Sequence, residues 1–322
     1  MDRMRSKKYT ANIKGRLRST LFVLLLLHFN VTSAGAINFL FAKHLFDITG
    51  QFNNPSEVAV SASDFIYVVD GVNNAIKIFK YNGEFHGSFG REGTGASEFN
   101  QPLGIDIDTE GKIYIADSGN HRVQIFSPKG EFINECKITP AGGRAGDPTD
   151  MVADSSAKRL YVVNNDHHQI LVFDLLSLRL VDTFGKPGTG NREFRYPFLI
   201  TQDKEGLLYI SDVINTRVQV LNSKGLFVEN IGDWGVEKGQ FFRPKGVALD
   251  KSGRVFVSDS YMGVIQVFGH NGEFLAAIGD PDTKKIKRFK SPVGLWIDRQ
   301  NRLYVVEMFA NRVGVYSIGG KE

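Results

Sequence analysis

One strand-rich hairpin, written six times, restricts this chain more than any other feature. FIYVVDGVNNAIKIF begins at Phe65, KIYIADSGNHRVQIF at Lys112 and RLYVVNNDHHQILVF at Arg159. LLYISDVINTRVQVL follows at Leu207, RVFVSDSYMGVIQVF at Arg254 and RLYVVEMFANRVGVY at Arg302. A proline-led segment precedes each copy, at Pro55, Pro102, Pro148, Pro197, Pro244 and Pro292, with spacings of 47, 46, 49, 47 and 48 residues. A period of this size marks a supersecondary unit that buries its apolar face only by stacking on its neighbours.

Within a unit every segment reads as a strand. After the proline, PLGIDID and PKGVALD alternate apolar with polar or small residues. A turn follows, in which Gly111, Gly206, Gly253 or Asn301 tolerates positive φ. The IYIAD-type second strand is rich in aromatic and β-branched residues. A short polar loop leads to a third strand of RVQIF type, and a turn such as PKG or HNG leads to a fourth. Four antiparallel strands per unit, repeated six times, predict an all-β, six-bladed β-propeller. The sixth unit stops at Val315-Tyr316 without a fourth strand, whereas FLFAKHLFDITGQFNNP near the N-terminus reads like the end of another unit. Residues 39–48 are therefore expected to supply that strand and close the ring, so that no sheet edge is left open.

The units PLGIDIDTEGKIYIADSGNHRVQIFSPKGEF and PKGVALDKSGRVFVSDSYMGVIQVFGHNGEF, joined by linkers such as FGREGTGASEFNQP and WGVEKGQFFRP, resemble NHL repeats. The resemblance covers residues 39–318 and implies a six-bladed propeller of the secreted type. The Gly-His and Trp-Asp pairs that WD repeats carry at set places are absent at those places.

Residues 1–36 are of another kind. Seven Lys and Arg residues precede the apolar run LFVLLLLHF, and Ala34-Gly35-Ala36 ends the segment. This order is that of a secretory signal peptide. The alternative is an uncleaved anchor over residues 21–42, which would give the only membrane contact. The mature domain is expected to be residues 37–322, exported to a periplasmic, cell-surface or extracellular location. Residues 1–20 carry the seven cations against Asp2, so their removal takes the formal charge from +4 to −2. A near-neutral domain gives no reason to expect nucleic-acid binding. With Cys136 alone there is no internal disulfide, and packing must hold the fold.

The cluster Asp117, Asn120, His121 and Arg122 contains the residue types of an active site. In register, however, Asp117 matches Asp70, Asn164, Asp212, Asp259 and Glu307. Six equivalent acceptors point to turn geometry, with side chains bonded to nearby backbone N–H groups. Arg122, Arg217 and Arg312 stand five residues after their acids, which predicts an acid–Arg pair in units 2, 4 and 6. DIDTEG, from Asp106 to Gly111, imitates a calcium loop but lacks a Glu at position 12, and is read as a β-turn.

Functional candidates are the departures from the repeat. Glu57 and Asp150 stand where Gly104, Gly246 and Gly294 stand in other units, on first strands expected to line the channel. Two acids on one rim would suit a cation such as calcium, as in the lactonase-like propellers that the fold resembles. The adjacent His167 and His168 are placed in a loop. Peptidylglycine amidating lyases, which also resemble this fold, hold zinc through central histidines, but no histidine here lies in a first strand. The linker GDPDTKKIKRFKSP carries Lys284, Lys285, Lys287, Arg288 and Lys290, a candidate contact for an acidic partner or lipid headgroup. The reading is a binding or scaffold module for another protein, with no catalytic residue and no cofactor assigned. The alternative is a metal-dependent lyase or lactonase-like enzyme working at the central channel.

Overall fold

The computed structural model describes residues 37–139 and 143–319. The leader and most of the alternative anchor lie outside the described residues. Residues 39–42 of the 21–42 span belong to a strand.

The chain folds as a propeller of four-stranded antiparallel blades, and no α-helix occurs among the described residues. Unit 2 shows the pattern, with strands Pro102–Ile107, Ile113–Asp117, Arg122–Phe126 and Phe132–Lys137. Each strand pairs with the next in sequence, because the connecting turns are too short for anything but hairpins. Units 1, 3 and 4 form separate four-stranded sheets in the same order. Units 5 and 6 share an eight-stranded sheet through the N-terminal strand Phe39–Ile48. Its residues 42–48 run antiparallel to Arg312–Ile318, as the missing fourth strand required. Its first three residues run parallel to Ala277–Gly279 of unit 5.

The first strands are innermost, and each packs against the first strand of the next unit. The sequence of contacts returns to its start, since Pro292–Ile297 packs against Pro55–Val60. The core lies between units and not within them. One cluster joins Val58, Val68 and Phe79 of unit 1 to Val293, Tyr304 and Val315 of unit 6. Another joins Tyr67 and Val69 of unit 1 to Ile113, Ile115 and Phe126 of unit 2. A sheet that is apolar on both faces must be covered on both, and stacked blades do this without helices.

Linkers add a buried phenylalanine at Phe99, Phe194 and Phe241. Gly90 turns at φ 93 directly under Phe99, where a Cβ would lie 2.3 Å from the ring. Only glycine allows that turn and that ring together.

The alternating strands sort the loops onto two faces. Linkers between units and second-to-third-strand turns share one end of the blades, here called the loop face. First-to-second and third-to-fourth turns share the other, the turn face.

Candidate functional site

The cluster around Asp117 is structural, and its bonding differs from the expectation in its reach and at Asn164, whose side chain has no hydrogen-bond partner among the described residues. Asp117 Oδ1 accepts the N–H of Asn100, 17 residues earlier in the linker, at 2.8 Å. Asp70, Asp212, Asp259 and Glu307 do the same for Asn53, Arg195, Phe242 and Lys290 at 2.6–2.7 Å. The acid therefore fastens the incoming linker to its blade, a longer-range task than capping its own turn. The acid–Arg pairs are present, with Arg122 Nε 2.8 Å from Asp117, Arg217 Nε 3.0 Å from Asp212 and Arg312 Nη2 2.7 Å from Glu307. In unit 1, Lys77 takes the role, 2.7 Å from Asp70. Arg217 also donates to the carbonyls of Gly190 and Glu193, both at 2.9 Å, so the guanidinium completes the linker clamp.

In DIDTEG, Asp108 makes the turn, its Oδ1 accepting the N–H groups of Glu110 and Lys112 at 2.9 Å. Asp106 does not belong to it. Asp106 ends up in the first strand and faces the channel with Glu57 and Asp150, around a cavity of about 40 Å³. Glu57 and Asp150 lie inside the channel and not on a rim, each buried at the third position of its first strand.

Glycines of neighbouring units leave the acids their room. A Cβ on Gly294 would stand 2.7 Å from Glu57 Oε1, and one on Gly104 would stand 2.6 Å from Asp150 Oδ1. Asp150 Oδ2 accepts the N–H of Ile200 at 2.9 Å, and Asp106 Oδ2 accepts that of Ala153 at 2.8 Å, each stitching its unit to the next. Glu57 Oε2 has no partner among the described residues.

Burial, with Asp150 and Asp106 nearby, pushes the Glu57 carboxyl well above the usual carboxylate range. Burial does the same to Asp150, against the opposing bonds from Ile200 and Met151. Asp106 keeps some exposure to the cavity yet is ringed by protein, and burial lifts it to about 6. Burial holds Glu57 and Asp150 toward their neutral forms, so a cation here would have to displace protons from them. The cavity is of a size for one ordered water and not for an organic substrate. At the loop-face end of the channel, Lys245 Nζ sits 3.5 Å over the Phe198 ring. Burial and the neighbouring Arg243 hold its amine down at about 8.

The histidine pair does occupy a turn, between Arg159–Asn164 and Gln169–Asp174. His167 Nδ1 lies 2.7 Å from Asp166, while His168 Nδ1 accepts the Tyr196 N–H at 3.1 Å. Asn74 and Asn311 make the same bond to Gln101 and Asn54, so His168 is a latch between units.

The basic linker is partly used by the fold. Lys284 Nζ lies 4.7 Å over Phe41, and Lys287 pairs with Asp280 at 3.2 Å and lies over Tyr316. Arg288 donates to the Met262 carbonyl at 2.6 Å, and Lys290 gives its N–H to Glu307. Lys285 is exposed. The linker covers the seam where the N-terminal strand enters.

Sequence reasoning missed two further groups. Tyr196, Trp234, Val236, Tyr261 and Phe309 stand exposed on the loop face. On the turn face, a cavity of about 640 Å³ is lined by residues that include Asp203, Glu205 and His270. An unpaired Trp in a linker was the available signal for the first. The second has none, since its members come from different units.

The fold and this lined channel define a β-propeller of four-stranded blades. The NHL repeat model matches residues 99–126, which carry Asp117 and its linker. No curated protein matches the chain in sequence. Among solved structures, a streptogramin B lyase is 12% identical with a TM-score of 0.62, over 86% of this chain and 98% of that one. Virginiamycin B lyase from Staphylococcus aureus is 14% identical with a TM-score of 0.60, over 86% and 88%. A gluconolactonase from Xanthomonas campestris is 13% identical with a TM-score of 0.65, over 90% and 99%. At such identities the likeness is one of fold.

Proposed function

We propose that the protein is an exported six-bladed NHL-type propeller that acts as a binding or scaffold module for another protein. The count of six blades is supported by six proline-led first strands packed in one closed succession. Export is supported by the order of charge, apolar run and small residues in the leader. The observation that carries the binding reading is the loop face, where Tyr196, Trp234, Val236, Tyr261 and Phe309 are 50%, 72%, 70%, 69% and 75% exposed. Large aromatic side chains on loops over a rigid ring are what a partner's hot spot contacts.

The test is a cross-linking pull-down with the chain from residue 37, comparing wild type with Trp234→Ala/Tyr261→Ala/Phe309→Ala. Loss of one specific partner in the triple variant, with its melting curve unchanged, supports the reading. Capture that is indifferent to the three substitutions removes it. The second reading, a lyase or lactonase-like enzyme with metal in the channel, draws on the acids Glu57, Asp106 and Asp150. Stoichiometric calcium or zinc in the purified protein, lost in Glu57→Gln, would favour it.

A further inference from the structure

In units 2 to 6 the first-to-second-strand turn is built on an aspartate, with Ser61 in its place in unit 1, and unit 4 departs from its siblings in what it meets there. Asp203 Oδ1 accepts the N–H groups of Glu205 and Leu207 at 3.0 and 2.8 Å, and its Oδ2 accepts the Tyr209 hydroxyl at 3.1 Å. Asp108 with Tyr114 and Asp298 with Tyr304 repeat this bond. The difference comes from the third-to-fourth-strand turn of unit 5, which brings His270 to Asp203. In the other units that place holds Tyr81, Pro128, Leu175 or Ser223. Tyr81 closes on Asp298 by a 2.8 Å hydrogen bond, a contact between units in which a tyrosine hydroxyl takes the imidazole's place.

We propose that Asp203, Glu205 and His270 form a binding site for a divalent transition-metal ion on the turn face. Among the described residues, theirs is the group of three metal-ligating side chains whose donor atoms all lie within 4.8 Å of one another. The Tyr209 hydroxyl, 3.3 Å from His270 Nδ1 and 3.1 Å from Asp203 Oδ2, orients the imidazole and one carboxylate together. A hydroxyl behind two ligands is the outer-shell support that metal sites use. Two carboxylates with an imidazole suit Zn²⁺ or Co²⁺ better than calcium or magnesium, which favour all-oxygen shells. The cavity of about 640 Å³ beside them leaves room for water or a ligand in the remaining coordination positions, and Lys204, Lys251 and Arg299 line it as well. This site shares no residue with the channel acids or with the loop face, and it stands or falls independently of the binding reading. Its ligands come from two units, so it exists only in the assembled ring.

The test uses the untagged full chain, stripped with EDTA, dialysed and titrated with zinc chloride by calorimetry. Cobalt(II) absorption serves as a second readout. One zinc per chain is expected, with affinity reduced about 10–100-fold in His270→Ala and in Glu205→Gln. Both side chains are exposed, so these variants keep the wild-type melting curve. Tyr209→Phe is expected to weaken zinc about 10-fold through lost orientation. Tyr114→Phe breaks the same bond at Asp108 and should leave zinc affinity untouched, which separates metal support from turn stability. Substoichiometric zinc in the wild type, or wild-type affinity in both His270→Ala and Glu205→Gln, overturns the site.

Discussion

His168 Nδ1 accepts the main-chain N–H of Tyr196, 28 residues on, in the slot where Asn74 holds Gln101 and Asn311 holds Asn54. Each acceptor sits in the left-handed region, at φ 58, 52 and 50, and so does each donor residue. The polar side chain is selected because it ties one unit's turn to the next unit's proline. His168→Asn should therefore keep wild-type stability, while His168→Ala loses about 1 kcal/mol in urea unfolding. A change of partner binding in His168→Asn, with stability intact, would show that the imidazole does more than latch.

The Asp212–Arg217 pair is buried, and each member holds other groups as well. Burial is the largest influence on Asp212 and raises its carboxyl despite the opposing bonds from Arg195, Asn215 and Arg217. Removing one member leaves buried polar groups unpaired, and Arg217→Ala should cost about 3–5 kcal/mol. The charge-reversed double variant is expected to stay destabilised. An arginine at 212 cannot accept the Arg195 N–H, and an aspartate at 217 cannot donate to Gly190 and Glu193. Recovery of full stability in that double variant would reduce the clamp to a simple ion pair.

The channel acids predict a pH dependence of known sign. Asp106 has a folded value of about 6, above its ordinary 3.8, so folding favours its protonated form. The corresponding stability is fully present below about pH 4 and is lost progressively as pH rises to about 6. The limiting slope is about 1.4 kcal/mol per pH unit for one such group. Glu57 and Asp150 extend the loss to higher pH, being raised well above their ordinary values. Glu57→Gln should flatten the upper part of the curve and raise the melting temperature at pH 8. Parallel melting-temperature profiles for wild type and Glu57→Gln between pH 4 and 8 would refute the buried-acid account.

Gly104 and Gly294 are required by the acids that lie over them. An alanine Cβ at 104 would approach the Thr149 carbonyl and Asp150 Cα at 2.6 and 2.7 Å, both backbone atoms unable to swing aside. Gly104→Ala should cost about 1–3 kcal/mol from overpacking. At 294 the backbone obstacle is the Ser56 carbonyl at 2.8 Å, with Glu57 Oε1 at 2.7 Å. Glu57→Ala should therefore rescue Gly294→Ala only in part, as a double-mutant cycle in guanidinium would read.

The strands were legible because alternation, turn glycines and a regular period are local patterns. So was the pairing of Phe39–Ile48 with Arg312–Ile318, since an incomplete sixth unit needs one particular partner. The acid–Arg pairs were legible for the same reason: they sit five residues apart across a single hairpin turn. Asp106 was not, because DIDTEG read alone assigns it to a turn, whereas its side chain follows the alternation of its strand into the channel. The latch at His168 was hidden because its partner lies in the next unit.

The sequence by itself determined the repeat, the strand order and the way the two chain ends meet, all of which follow from short-range periodicity. Only the tertiary structure decided which departures from the repeat share a space. Glu57, Asp106 and Asp150 come from three units and converge because first strands line one channel. Tyr209 and His270 meet across 61 residues because neighbouring blades turn at the same face. Periodicity places side chains along a strand; stacking of curved units around an axis brings distant strands together, and no local pattern encodes that contact.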